Sequence, residues 1–176
     1  MSKTYLLVFI LLVFGCEKNV SYQPSEKEHL TNIVSKEVAI QLKNELGLTP
    51  CGSGGQAMDQ VKMLALAFNY HEPLDIETGR EFLVAAVEKF AAEINSNEAI
   101  RPYLNNYPFG PKNIEIAIYI QDLNGRDMGP EELCVIVARR GILEYEIPDG
   151  KFALKTVHKE TYEEALEKLN RKKQSA

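Results

Sequence analysis

An α+β fold is what the sequence predicts: a mostly antiparallel sheet of about five strands with helices packed on it. Three observations predict it. Several segments alternate apolar and polar residues with period two, and the later ones follow each other through short turn-like links. Three other segments repeat apolar residues at helical spacing, each opened by a serine or threonine with an acid three residues on. Hydrophobic residues are 45% of the chain and charged ones 26%, enough apolar material for one real core and too little charge for a disordered chain. The expected order is α-β-α-β-β-β-β-α.

The first helix opens at the capping box Ser25-Glu26-Lys27-Glu28. Leu30, Ile33, Val34, Val38, Leu42 and Leu46 carry its apolar stripe, and Gly47 stops it. Thr49 to Gln56 (TPCGSGGQ) reads as a flexible loop. It lacks the Gly-Lys-Ser/Thr ending that a phosphate-cradling loop requires. Val61 to Tyr70 alternates, with Leu64, Leu66, Phe68 and Tyr70 facing one way, and reads as the first strand. A second capping box, Thr78-Gly79-Arg80-Glu81, opens a helix running to about Asn95, with Phe82, Leu83, Ala86, Val87, Phe90 and Ile94 on one face.

Residues 97–112 form a connector. Ile114, Ile116, Ile118 and Ile120 then alternate without a break, the clearest strand signature in the chain. Leu133 to Ala138 is continuously apolar, as expected of a central strand. Leu143, Tyr145 and Ile147 alternate again, Pro148-Asp149-Gly150 signals a hairpin, and Phe152, Leu154 and Thr156 return. The last capping box, Thr161-Tyr162-Glu163-Glu164, opens a helix with Tyr162, Ala165, Leu166 and Leu169 on one side.

Ahead of this domain, Lys3 precedes an unbroken apolar run from Tyr5 to Phe14, too short for a bilayer-spanning helix of about 20 residues. A positive start, a short apolar stretch and a small residue at Gly15 fit a secretory signal peptide. Val13-Phe14-Gly15-Cys16 resembles the lipobox of bacterial lipoproteins, with Phe14 a departure from the usual small residue. That resemblance covers only the first sixteen residues. It implies cleavage before Cys16, a diacylglyceryl thioether on that cysteine, and usually an acylated amino group. Residues 1–15 are then the signal, 16–24 the lipidated cysteine and a polar tether, and 25–176 a single domain. Two or three acyl chains hold far more firmly than one, at about 0.8 kcal/mol per buried CH₂. The same resemblance implies, from Glu17 rather than aspartate after the cysteine, placement in the outer membrane facing the periplasm where an outer membrane exists.

With Cys16 modified, Cys51 and Cys134 remain as an even set in an exported chain, where disulfides persist. Either they pair, or Cys134 is a small core hydrophobe and Cys51 a lone loop thiol. Cys134 lies in an apolar strand, where a thiolate is disfavoured, and is no nucleophile.

The formal net charge of −5 and the lack of a basic stripe argue against a nucleic-acid partner. Asp122-Leu123-Asn124-Gly125-Arg126-Asp127 has turn chemistry but puts Arg126 and Asp127 where a calcium loop needs a ligand and a glycine. His71-Glu72 follows the first strand, and His158-Lys159-Glu160 follows the last and precedes a helix cap. Should those strand ends share an edge, the two histidines and two acids could bind a metal or do acid–base work in a small envelope hydrolase. No cofactor loop, metal-ligand spacing or nucleophile motif otherwise stands out, so no catalytic residue, metal or cofactor is assigned. Tyr103, Tyr107 and Phe109 in the connector are candidates for a partner contact, or else rings that staple the connector to the core. The expectation is a lipid-anchored envelope protein whose domain binds another envelope component without catalysis. A small hydrolase and a purely structural lipoprotein are the alternatives.

Overall fold

The computed structural model describes residues 23–150 and 153–175. Cys16, the expected cut site and most of the expected tether lie outside the described residues. No helix among the described residues is long and apolar enough to cross a membrane.

The elements are α1 (Glu26–Leu46), β1 (Thr49–Gln56), β2 (Met63–Tyr70), α2 (Ile76–Ser96), β3 (Ile114–Ile120), β4 (Val135–Arg139), β5 (Ile142–Pro148), β6 (Leu154–Thr161) and α3 (Tyr162–Ser175). Short 3₁₀ turns at Arg101–Tyr103 and Pro111–Asn113 sit in the connector before β3. The six strands lie in sequence order across one sheet. β2 and β3 are parallel, joined by the α2 crossover, and every other neighbouring pair is antiparallel. The class is α+β as expected, with a mixed sheet and one more strand than the sequence predicts.

That extra strand is β1, expected as a flexible loop. Glycine and serine give it no hydrophobic period, so nothing local marks it as extended. Pairing with β2 imposes the conformation, from Thr49 opposite Asn69 to Gln56 opposite Met63, with a bulge between Pro50 and Gly52. At Gly55 the missing side chain is required, since a Cβ there would stand 2.8 Å from the Met63 carbonyl oxygen. Glycine here serves close approach rather than flexibility.

The helix ends show which capping signals act. Ser25 accepts from the Glu28 N–H, and Gly47, at φ 71°, donates its N–H back to Lys43. At α3 the capping box is complete: Thr161 accepts from the Glu164 N–H, and the Glu164 carboxylate accepts from the Thr161 N–H. The expected box at Thr78 is not the start of α2. Asp75 caps that helix by accepting from the Thr78 N–H at 2.7 Å, so α2 begins at Ile76. Asp75 is the better acceptor, being ionised and facing the positive end of the helix dipole.

All three helices cover one face of the sheet. α1 packs over β1 and β2, α2 over β3 to β5, and α3 over β5 and β6, while α2 touches both other helices. The buried face carries Leu64, Leu66, Phe68, Ile114, Ile116, Ile118, Ile120, Ile136, Ala138, Leu143 and Tyr145 against Val38, Leu42, Leu83, Val87, Phe90 and Ile94. Each fully buried isoleucine contributes about 1.5–3 kcal/mol, so the alternating β3 isoleucines anchor the core. Within β6 the parity fails. The bulge at Val157 pairs Tyr145 with His158 but Glu146 with Thr156. Leu154 and Thr156 are therefore exposed rather than returned to the core.

Candidate functional site

The strand order separates the residues that the acid–base reading required together. His71 directly follows β2, its Nδ1 3.1 Å from the Gln121 carbonyl oxygen, whereas His158 lies on β6. With β3, β4 and β5 between them, the two sit about 19 Å apart across the sheet at about 4.8 Å per strand. His71 and Glu72 thus share no site with His158 and Glu160. No group of three or more metal-ligating side chains occurs among the described residues.

What does assemble is a buried carboxylate. Glu160 ends β6 on the helix-covered face, with its side chain 2% exposed. Its Oε1 accepts from Arg80 Nε of α2 at 2.7 Å and from the Tyr145 hydroxyl of β5 at 2.8 Å. Its Oε2 accepts from Lys168 Nζ of α3 at 2.6 Å, and His158 Nε2 stands 3.6 Å from the same oxygen. Burial opposes ionisation, but the hydrogen bonds from Lys168, Arg80 and Tyr145 outweigh it and hold the carboxyl down at about 2. Burial first, and then its bond to Glu160, push the Tyr145 phenol far up, so it stays protonated. A carboxylate this acidic and this fully engaged makes a poor proton acceptor. The cluster instead joins α2, β5, β6 and α3. Gly79 allows this closeness: a Cβ there would lie 3.2 Å from Ile136 Cδ1 and 3.4 Å from the Tyr145 ring.

The other sequence candidates scatter. Cys51 and Cys134 are both free thiols, one exposed on edge strand β1 and one buried at the head of β4. β2 and β3 lie between them, a gap of about 14 Å by strand spacing against a limit of about 7 Å for a disulfide. Of the two alternatives, the structure shows unpaired thiols, with Cys134 in the core and Cys51 exposed. Burial raises the Cys134 thiol, consistent with a core residue.

The connector aromatics divide. Phe109 is core, and its backbone is gripped on both sides by Asn95, whose amide donates to the Phe109 carbonyl at 2.8 Å and accepts from its N–H at 2.7 Å. Tyr103 is half-buried and donates to Glu26 at 2.8 Å. Tyr107 alone is largely exposed, with the Arg101 guanidinium 4.7 Å over its ring. Phe109 and Tyr103 tie the connector to the rest of the domain, and Tyr107 remains the exposed one of the three. Asp122 is similarly occupied: Arg126 binds it through its backbone and its guanidinium, and the carboxyl is held down at about 2.

The face of the sheet opposite the helices is bare among the described residues. Register places Ala65, Ala67, Ala117, Val135 and Val137 side by side there, all half-buried. Tyr119 rises from this floor beside Asn69 and Val135, 43% exposed. Arg139 projects at the other end of the floor, opposite Glu115 and 3.4 Å from Glu144, which also accepts from Lys159 at 2.8 Å. Glu115 and Glu146 complete a rim of mixed charge. Of these residues, only the exposed tyrosine and arginine belong to types enriched where proteins meet. The run Leu133–Ala138 conceals this, because its apolar character predicts a strand covered on both faces.

No family model, no curated protein and no solved structure matches this chain.

Proposed function

We propose that the chain is a lipid-anchored, non-catalytic binding domain of the bacterial envelope, held to the membrane through Cys16 and engaging a protein partner with its helix-free sheet face. The observation that carries the binding reading is Tyr119, exposed at one end of the Ala65, Ala67, Ala117, Val135 and Val137 floor, with Arg139 at the other end opposite Glu115. Aromatic and arginine side chains near the centre of a patch supply most of the affinity of typical interfaces. On a rim where Glu144 is already paired with Arg139 and Lys159, Glu115 and Glu146 favour a partner that sets basic groups opposite them. The locked Glu160 cluster supports the same reading, since the most charged buried group of the domain is committed to holding elements together.

The anchor and the face are tested separately. Cys16→Ser should abolish metabolic incorporation of an alkyne-tagged fatty acid and release the protein from membranes; unchanged labelling would refute the anchor. Tyr119→Ala should leave the melting temperature within about 2 °C of wild type, as surface changes do. It should also lower partner recovery after in-cell crosslinking at least about tenfold, as loss of an interface hot spot does. Recovery equal to wild type would refute the face.

A further inference from the structure

We propose that two copies of this chain associate through β1, antiparallel and edge to edge about a two-fold axis at Ser53, into one continuous twelve-stranded sheet. This inference is independent of the sheet-face reading, because it uses the edge of the sheet and leaves the bare face free.

The two edges of the sheet differ in how they meet water. β6 carries Lys155 and Lys159 and the Val157 bulge, devices that blunt an edge against pairing. β1 carries no charge at all. Its proline and its bulge are confined to the start, so Gly52 to Gln56 presents a regular row of backbone groups, and no described residue pairs with its outer side. An unpaired strand of this kind is a template for another strand.

The second copy is favoured by charge. A groove runs along the full length of β1 against α1, lined at one end by Glu28, Asn32 and Gly55 and at the other by Asn32, Lys36 and Cys51. Ser53, Asn32 and Ser35 line both halves, so the middle of this helix face stands beside the middle of β1. Glu28, Asn32 and Lys36 recur every four residues and form one stripe toward the edge. A two-fold axis at Ser53 sets this stripe antiparallel to its own copy. Glu28 of each copy then faces Lys36 of the other, with Asn32 opposite Asn32. β1 meets itself with no like charges opposed, whereas β6 pairing with itself would oppose lysines. Because α1 packs over both β1 and β2, the two α1 axes come about 10 Å apart, a normal helix-packing distance.

Cysteine crosslinking reads this geometry. In the full chain in excess detergent, Cys51→Ser with Ser53→Cys places the two new thiols opposite each other, at Cα separations of about 5 Å. Mild oxidation should link 53 to 53 at least about tenfold faster than Thr156→Cys in the same background, with the linked peptide identified by mass spectrometry. Cys51 of the wild type should not bridge directly, being more than about 10 Å from its copy. Sedimentation should give twice the monomer mass for wild type and a monomer for Ser53→Lys that still unfolds cooperatively, its melting temperature no longer rising with protein concentration. Lys36→Glu should weaken the dimer, and adding Glu28→Lys should restore it. Three outcomes would overturn the dimer: a monomeric wild type, a dimer indifferent to Ser53→Lys, or linkage at position 53 no faster than at 156. Linkage of 53 to a different protein would assign the edge to a foreign strand instead.

Discussion

Replacing Glu160 with glutamine removes one charge from beneath α2 and α3 and leaves the shape nearly unchanged. The folded carboxyl titrates at about 2, against about 4.3 in an unfolded chain. A depressed carboxylate stabilises the fold above its unfolded value and loses that contribution as pH falls toward its folded value. A gap of roughly two units is worth about 3 kcal/mol at neutral pH, lost between about pH 4.3 and pH 2. In the variant, Arg80, whose side chain is 11% exposed, keeps its charge without a counterion, and breaking a buried pair costs about 3–5 kcal/mol. Lys168 is about half exposed and can turn to water, which favours the lower figure. The expected loss of about 3 kcal/mol lowers the melting temperature by roughly 10 °C for a domain of this size. Urea unfolding of wild type and Glu160→Gln at pH 7 and pH 3 reads it, and the gap should roughly halve at pH 3. A gap below about 1 kcal/mol at pH 7, or one that does not change with pH, would refute the account of the cluster.

The glycines of β1 make a second test. Gly55→Ala should cost about 1–3 kcal/mol because its Cβ meets the Met63 carbonyl, while Gly54→Ala, with nothing within 4 Å, should be nearly neutral in the same denaturation assay. Equal effects would mean that glycine is present there for flexibility. Asn95→Ala deletes both bonds to the Phe109 backbone and strands its N–H, for a loss of about 1–3 kcal/mol by chemical denaturation. A neutral result would show that the connector is held by its rings alone.

The parts of this fold legible in the sequence are those whose local pattern and tertiary role agree. The β3 isoleucines alternate because one face is core, and the Ser25 and Thr161 boxes cap the helices they precede. β1 was illegible because its extended form comes from β2 and not from its own residues. The start of α2 was misplaced because Asp75 and Thr78 both resemble caps, and only the hydrogen bond chooses between them. Glu160 and His158 stood out by residue type, yet their setting depends on Arg80, brought in from another helix eighty positions away. The bare face is not legible because Val135 and Val137 resemble the buried Ile136 and Ala138 with which they alternate. Hydropathy records what a residue could bury, and only the placement of the helices shows which side is covered.

The most direct measurement is in-cell photocrosslinking of the full chain from position 119 on the bare face and from position 40 on the exposed side of α1. The account predicts one dominant protein adduct from position 119, lost with Val137→Asp and absent from position 40. The same adduct from both positions, or none from position 119, would contradict it.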